Sequence, residues 1–203
     1  NVTQFGLPGF PELACGMWMC DEFGVRGMSP QGELVACLHP IVPTKRLINI
    51  QTGREKMEIA FNKDGVWKYQ IFDKSTILSS QKIVGAMADF GILATSENSK
   101  HLVRYFCDIE SMNLYTIPIQ KSTSKMGWLD NYETFIPYTC DDYVFDSDAD
   151  FSPLFDSIST HGKEDIQMRV LRDVRKRGRF EPIIAVAASL ASVLVQPGGC
   201  LPC

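Results

Sequence analysis

Hydrophobic and polar residues alternate most clearly between residues 56 and 71. The segments 56–61 and 67–71 each place an apolar side chain at every second position, and Asp64-Gly65 lies between them. An Asp-Gly pair favours the positive φ angles of a tight hairpin turn. A period of two is typical of strands with one buried face. The pattern predicts a hairpin whose buried side chains are Met57, Ile59 and Phe61 on the first strand and Trp67, Tyr69 and Ile71 on the second.

Shorter apolar runs indicate more β structure on both sides of this hairpin. Gly24, Gly27, Pro30 and Gly32 separate such runs near the N-terminus, because glycine and proline favour turns over strands. Further strands are predicted at residues 15–19, 33–38, 46–50, 92–94, 116–120, 125–129 and 134–138.

Apolar residues spaced three or four apart predict helices in the second half of the chain. Two are expected from residue 81 to Gly91 and over residues 97–110. An amphipathic helix is predicted over 163–178, and the uncharged run 183–195 predicts a last, buried helix. The expected fold class is α+β, with a β-rich N-terminal part of hairpins, then helices, ending in a buried C-terminal helix.

Length and composition suit one large domain or two small ones, since 45% of the 203 residues are apolar. We expect a β-rich N-terminal extension at 1–45 and an α+β domain over 46–203. The net charge of -4 argues against a generally cationic nucleic-acid binder but allows a local basic patch. Seven cysteines without the spacing of a disulfide framework favour a reduced, cytoplasmic protein.

The end of the chain carries no charge after Glu181, and the chain begins at Asn1. Terminal residues are usually polar and mobile, so we interpret the chain as a piece of a longer protein. The apolar run 183–195 is shorter than the roughly 20 residues that a membrane span needs. It therefore favours a helix packed inside a protein, and no membrane partner is expected.

No catalytic motif occurs in the sequence. A phosphate-binding Walker loop needs Gly, four residues, then Gly-Lys-Ser/Thr. The only Gly-Lys pair is Gly162-Lys163, where Ser157 takes the place of the first glycine and Glu164 follows the lysine. We predict no catalytic residue, and this chain alone is not expected to hydrolyse ATP.

A basic face is predicted on the helix over residues 163–178. At about 100° per residue, its cations gather opposite the apolar stripe. Such a row can follow a nucleic-acid backbone and displace its counterions. The alternatives are a solvated face or one neutralised by the acidic residues of segment 141–156. The candidate nucleic-acid-binding residues are Arg169, Arg172, Arg175, Lys176 and Arg179.

A second cationic segment precedes the predicted strand at 125–129. It combines hydroxyl groups with two lysines, which are groups that can contact a phosphate. The alternative is an ordinary polar loop. The possible phosphate contacts are Lys121, Ser122, Thr123 and Lys125.

An acidic segment imitates the first half of a calcium loop, with Asp146, Asp148 and Asp150 at alternate positions. Phe151 replaces the glycine of such a loop, and Ser157 replaces its closing glutamate. A metal-dependent enzyme built on these carboxylates is therefore the least favoured hypothesis, and a solvated acidic loop is preferred.

A zinc site is a further alternative near the N-terminus. Cys15, Cys20, Cys37 and His39 have the right chemistry, but their spacing differs from that of a common zinc knuckle. Buried thiols that pack as small apolar side chains are favoured, and no metal site is predicted.

Three segments occur in an order that resembles a known family. They are LINIQTGREKMEIAF at 47–61, SSQKI at 79–83 and STSKMGW at 122–128. Together they are similar to a bacterial and phage domain-of-unknown-function family linked to mobile-element replication ATPases and helicases. The resemblance covers residues 37–195. It implies that a β-rich front half precedes a RecA-like P-loop ATPase half, so that ATP and magnesium belong to a missing downstream domain and no cofactor is expected here.

The resemblance leads to one main hypothesis and one principal rival. The chain would be a non-catalytic N-terminal domain of a phage- or plasmid-type DNA replication ATPase, which positions the motor or contacts DNA. Its expected partners are DNA and the downstream ATPase domain of the same protein. The rival is a protein-interaction or oligomerisation module, with a homo-oligomer as its product.

Overall fold

The computed structural model describes residues 1–30, 32–129, 134–136, 142–146, 157–158, 162–178 and 180–192. The protein has a β-rich N-terminal region followed by helices, which confirms the α+β class. The chain divides into two compact units, residues 1–122 and 123–203. The domain boundary predicted between residues 45 and 46 stays a prediction. Its position lies inside a strand, Ile41–Asn49.

In the part of the chain that the structure describes, ten strands form where apolar residues alternate or cluster between turns. The first six are β1 (Trp18–Asp21), β2 (Gly24–Ser29), β3 (Gly32–Cys37), β4 (Ile41–Asn49), β5 (Glu55–Lys63) and β6 (Val66–Asp73). They are followed by β7 (Ile119–Thr123), β8 (Gly127–Trp128), β9 (Phe135–Ile136) and β10 (Tyr143–Phe145).

Five helices lie in the described parts of the chain. They are α1 (Lys74–Ile77), α2 (Lys82–Asp89), α3 (Ser99–Met112), α4 (Glu164–Lys176) and α5 (Phe180–Ser192). Gly91 (φ 73°) follows α2 and Gly178 (φ 67°) follows α4, as their sequence positions predicted. Glycine adopts this left-handed backbone without a steric penalty, which is why it commonly ends helices.

The first unit contains a small sheet and a larger one. Strands β1, β2 and β3 form an antiparallel meander. In the larger sheet the order is β7-β4-β5-β6, and β7 runs parallel to β4 while the other pairs are antiparallel. The predicted hairpin is β5–β6, and its turn holds Asp64 at φ 55° and Gly65 at φ 79°. Two consecutive positive φ angles are those of the predicted tight turn.

Helix α3 lies at the centre of the first unit's core. Leu102, Phe106 and Ile109 are buried on it as their spacing predicted, together with Tyr105. The Trp18 indole packs edge-to-face on the Tyr105 ring at 5.9 Å between ring centroids. The Tyr105 hydroxyl donates to the carbonyl of Ile41 at 2.6 Å, so this helix is tied to both sheets.

The buried face of β6 differs from the prediction. Met57, Ile59 and Phe61 are buried on β5 as expected, but Phe72 is the buried residue of β6. The pairing of Met57 with Phe72 places Phe72 on that same inner face, where its ring packs against Phe90 beyond α2. Trp67, Tyr69 and Ile71 lie on the opposite, outer face, and the Tyr69 side chain is exposed.

Residues 92–94 do not form the predicted strand. The backbone N–H of Ile92 donates to the carbonyl of Met87, and that of Ala94 donates to Ile92, so the segment folds back on α2. Ile92 and Ala94 are buried while Leu93 is exposed. The alternation that suggested a strand therefore arises from a turn that buries every second side chain.

The uncharged C-terminal segment forms a helix, but that helix is not buried. Helix α5 packs beside α4, and its Phe180, Ile184 and Leu190 side chains are 77%, 63% and 61% exposed. The prediction of burial was wrong because it used composition alone, whereas burial depends on which elements cover the helix. Among the described residues no helix is both long and apolar enough to cross a bilayer.

Candidate functional site

Helix α4 presents the predicted basic residues to solvent. Arg169, Arg172, Arg175 and Lys176 are all exposed, and none of them forms an ion pair with the residues that the structure describes. Arg179 lies outside the described residues. Four exposed cations therefore project from one helix.

The charges of α4 also stabilise the helix itself. Glu164 and Asp165 lie in its first turn, and Arg175 and Lys176 lie in its last turn. Carboxylates at the N-terminus and cations at the C-terminus each favour a helix by about 0.3–1 kcal/mol through its dipole. Arg175 and Lys176 thus help to stabilise the helix through its dipole. Arg169 and Arg172 lie in the middle of the helix, where the dipole gives them no such role.

The predicted phosphate contacts are only partly accessible. The Ser122 and Thr123 side chains are buried, and Lys121 is exposed. The Thr123 hydroxyl donates to the carbonyl of Lys125 at 2.9 Å, while the backbone N–H of Lys125 donates back to it at 3.3 Å. These contacts form a local turn, so the Thr123 hydroxyl serves the fold of the segment.

The acidic segment cannot be assembled into a metal site from what is described. Asp146 follows β10 and is buried, and its backbone N–H donates to the carbonyl of Thr123. Asp148 and Asp150 lie outside the described residues. Within the described parts of the chain, no three His, Cys, Asp or Glu side chains lie close enough to hold one metal ion.

The N-terminal cysteines are side chains of the core. Cys15, Cys20 and Cys37 are buried free thiols, and the Cys15 thiol donates to the carbonyl of Trp18 at 3.2 Å. Burial raises the pKa of the Cys15 and Cys20 thiols and raises the pKa of Cys37 to about 11. Neutral thiols are poor metal ligands and poor nucleophiles, which agrees with the interpretation of these residues as small apolar side chains.

The structure brings together a cleft that the sequence did not predict. It lies on the outer face of the larger sheet, has a volume of about 580 Å³, and is lined by Lys45, Glu58 and Tyr69 from three neighbouring strands. The alternation along β6 predicted Tyr69 to be buried. Whether Tyr69 lies on the inner or the outer face depends on which residues of β5 and β6 pair. The sequence alone does not give that register.

The cleft has a carboxylate at its base. The Thr44 hydroxyl donates to Oε1 of Glu58 at 2.7 Å, and Nζ of Lys45 lies 3.7 Å from the same oxygen. The Glu58 side chain is only 14% exposed, so these two partners hold it in one orientation. Its other oxygen, Oε2, has no hydrogen bond to the residues that the structure describes.

The sequence model of one family matches residues 15–162 of this chain. The chain belongs to the family described as Domain of unknown function (DUF927). The matched DUF927 span includes the strands that carry Lys45, Glu58 and Tyr69, and it ends before α4 begins. No curated protein matches the chain in sequence.

Proposed function

We propose that this chain is a non-catalytic N-terminal domain of a phage- or plasmid-type DNA replication ATPase of the cytoplasm, and that it contacts DNA through α4. The observation that carries this proposal is the set of exposed cations on α4, none of which forms an ion pair with a described residue, in a chain whose net charge is -4. Neutralising DNA phosphates with such cations releases counterions, which is the main source of non-specific affinity.

The proposal assigns no chemistry to the chain. No phosphate-binding motif occurs in its 203 residues, so ATP and magnesium would act in a downstream ATPase domain of the same protein. The role of this chain would be to keep that ATPase domain bound to DNA. Resemblance to the replication-associated family supports this assignment, and the accessible basic face supports the DNA contact.

Charge reversal on α4 tests the DNA contact. The triple variant R169E/R172E/K176E should bind a labelled 20-mer, single- or double-stranded, more weakly by a factor on the order of 10² at low salt. Fluorescence anisotropy measures the affinity. The matched control is K68E/K82E/K100E, which changes the net charge equally at three exposed lysines elsewhere. Equal affinities of the two variants would remove α4 as the contact.

A second candidate is an oligomerisation module, and the exposed apolar face of α5 favours it. Monomeric proteins rarely leave large contiguous apolar patches in water, yet Phe180, Ile184 and Leu190 are all well exposed. Light scattering over about a hundredfold range of concentration tests this candidate. Association should weaken in I184Q/L190Q and persist in L93Q/L114Q, which removes two exposed leucines of the first unit. A constant monomeric mass would exclude it.

A further inference from the structure

The cleft on the outer face of the larger sheet has the dimensions of a small-molecule site. Its volume of about 580 Å³ falls within the roughly 300–1,000 Å³ of known ligand pockets. Lys45, Glu58 and Tyr69 form its floor. Its walls come from the N-terminal loop and from the segment before β7, and the wall residues are Leu7, Pro8, Gly9, Phe10, Pro11, Thr116 and Pro118.

The wall formed by the N-terminal loop is fixed at its base. The backbone N–H of Thr3 donates to the carbonyl of Leu13 at 2.8 Å, and the N–H of Leu13 donates to the Thr3 hydroxyl at 2.9 Å. The Phe5 ring packs edge-to-face on Trp67 of β6, with 6.3 Å between ring centroids. The loop is thereby closed and attached to the sheet, so the cleft is preformed.

The floor carries almost no net charge. Lys45 and Thr44 both contact Oε1 of Glu58, so the charge of this carboxylate is largely balanced. Because the charges of Lys45 and Glu58 largely cancel, neither a cationic nor an anionic ligand gains much net attraction from the floor. The free acceptor is Oε2 of Glu58, which suits a neutral ligand with an N–H donor.

An aromatic surface lies next to this acceptor. Tyr69 pairs with Ala60 across the hairpin, so it lies two residues diagonally from Glu58 on the same face of the sheet. Diagonal neighbours on a sheet are within reach of aromatic side chains. Half of the Tyr69 side chain is exposed (53%), which leaves a ring face on which a planar ligand can stack.

The geometry points to a nucleobase as the ligand of this cleft, free as a nucleoside or unpaired in a single strand. A nucleobase is planar, neutral and carries N–H donors, so one ligand satisfies both the Tyr69 ring and the Glu58 carboxylate. Stacking on aromatic side chains is a general means of holding unpaired bases. This site is independent of α4 and of the DNA contact proposed for that helix.

The carboxylate also predicts which bases are preferred. Cytosine presents an exocyclic amino group, whereas uracil presents a carbonyl oxygen at the same position. The amino group can donate to Oε2 of Glu58, whereas the one donor on the pairing edge of uracil, its N3–H, lies between two carbonyl oxygens that would meet the carboxylate unfavourably. Cytidine should therefore bind more tightly than uridine, by about tenfold if one hydrogen bond to a charged group is gained.

Titration with cytidine and uridine, followed by NMR on the intact chain, tests the assignment. Y69A should weaken cytidine binding by about 5-fold to 100-fold, because it removes the stacking surface. E58Q should remove the preference for cytidine over uridine. Y115A and E22Q are the matched controls, since both replace exposed residues outside the cleft and should leave binding unchanged.

Three outcomes would overturn this inference. The first is that no binding is detected at about 10 mM nucleoside, a concentration high enough to detect very weak binding. The second is that Y69A and Y115A have equal effects. The third is that cytidine and uridine bind with equal affinity.

An NOE between the base protons and the Tyr69 ring would locate the ligand without any variant. R169E/R172E/K176E should bind cytidine normally, which separates this site from the DNA contact. The affinity of a cytidine oligonucleotide distinguishes a single strand from a free nucleoside as the natural ligand. If Y69A weakens binding of the oligonucleotide more than it weakens binding of cytidine, the ligand is a single strand.

Discussion

At the scale of single residues, Gly24 shows how a close approach fixes the identity of a side chain. Its φ is 117°, and a Cβ atom there would lie 2.3 Å from the carbonyl oxygen of Cys37. Gly53 also has a positive φ, 67°, but a Cβ atom there would meet nothing within 4 Å. At Gly53 a side chain would cause backbone strain alone, whereas at Gly24 it would also collide with the neighbouring strand.

Replacement of each glycine by alanine tests this distinction. G53A should lower the free energy of unfolding by about 1 kcal/mol, the cost of a left-handed backbone for a residue with a Cβ atom. G24A should lower it by about 3 kcal/mol or more, since strands β2 and β3 must also move apart. Urea denaturation measures both values. Similar losses for the two variants would contradict the close approach at Gly24.

Cys37 predicts a loss of stability at alkaline pH. Burial raises its pKa from 9.0 to about 11 in the folded protein, so the neutral thiol is favoured by folding. This contribution is complete below pH 9 and is lost as the pH rises from about 9 towards 11, because the unfolded chain ionises first. The loss from this thiol should reach about 1 kcal/mol at pH 10.

The variant C37A isolates this contribution. Its stability should fall less than that of the parent protein between pH 8 and pH 10, as measured by chemical denaturation at each pH. C107A, which removes an exposed thiol, is the control for general effects of alkali. A parallel decline of C37A and the parent protein would show that folding does not raise the pKa of Cys37.

At the scale of elements, Asn113 connects the end of α3 to the N-terminal segment. Its side-chain oxygen accepts from the backbone N–H of Ala14 at 2.9 Å, and its side-chain nitrogen donates to the carbonyls of Ala14 and Ile109 at 2.7 and 2.6 Å. Residues about 100 positions apart are thus joined by one buried amide.

Asn113 should therefore be worth more than an ordinary helix-terminal residue. N113A leaves the partly buried N–H and carbonyl of Ala14 without their partner, and each such group costs about 1–3 kcal/mol when water cannot replace that partner. We expect a loss of about 3 kcal/mol in urea denaturation. The control N98A removes a half-buried amide whose Oδ1 accepts from the backbone N–H and the hydroxyl of Thr95 before α3, and it should cost about 1 kcal/mol. A loss in N113A no larger than that in N98A would contradict the connecting role.

At the scale of the whole molecule, an acidic chain can contact DNA only through a local concentration of cations. The net charge of -4 opposes association at a distance, while α4 presents its cations together. The proposed DNA affinity should therefore fall steeply with salt. Each phosphate contact contributes about 0.9 to the slope of log affinity against log salt for duplex DNA.

The salt dependence counts the contacts that α4 makes. R172A should reduce the slope by about 1 when DNA affinity is measured between 50 and 200 mM salt. K100A, an exposed lysine on α3, should leave the slope unchanged. An unchanged slope in R172A would show that this residue does not contact a phosphate.

The elements with a clear hydrophobic period were predictable from the sequence. The β5–β6 hairpin, its Asp64-Gly65 turn, and helices α2, α3 and α4 follow from local patterns, because short-range steric and solvation effects decide them. The basic face of α4 was predictable for the same reason. The strand predicted at 92–94 failed because a turn can bury alternate side chains in the same way as a strand.

Local sequence thus determined which segments are strands and helices, where the turns lie, and which helix carries the cations. Tertiary structure decided what covers each face: Phe72 is buried while Tyr69 is exposed, and α5 is exposed despite its apolar composition. It also decided that Lys45, Glu58 and Tyr69 meet in one cleft. Burial and contact between distant residues depend on strand register and on the packing of elements, and these are set by long-range interactions that no local pattern contains.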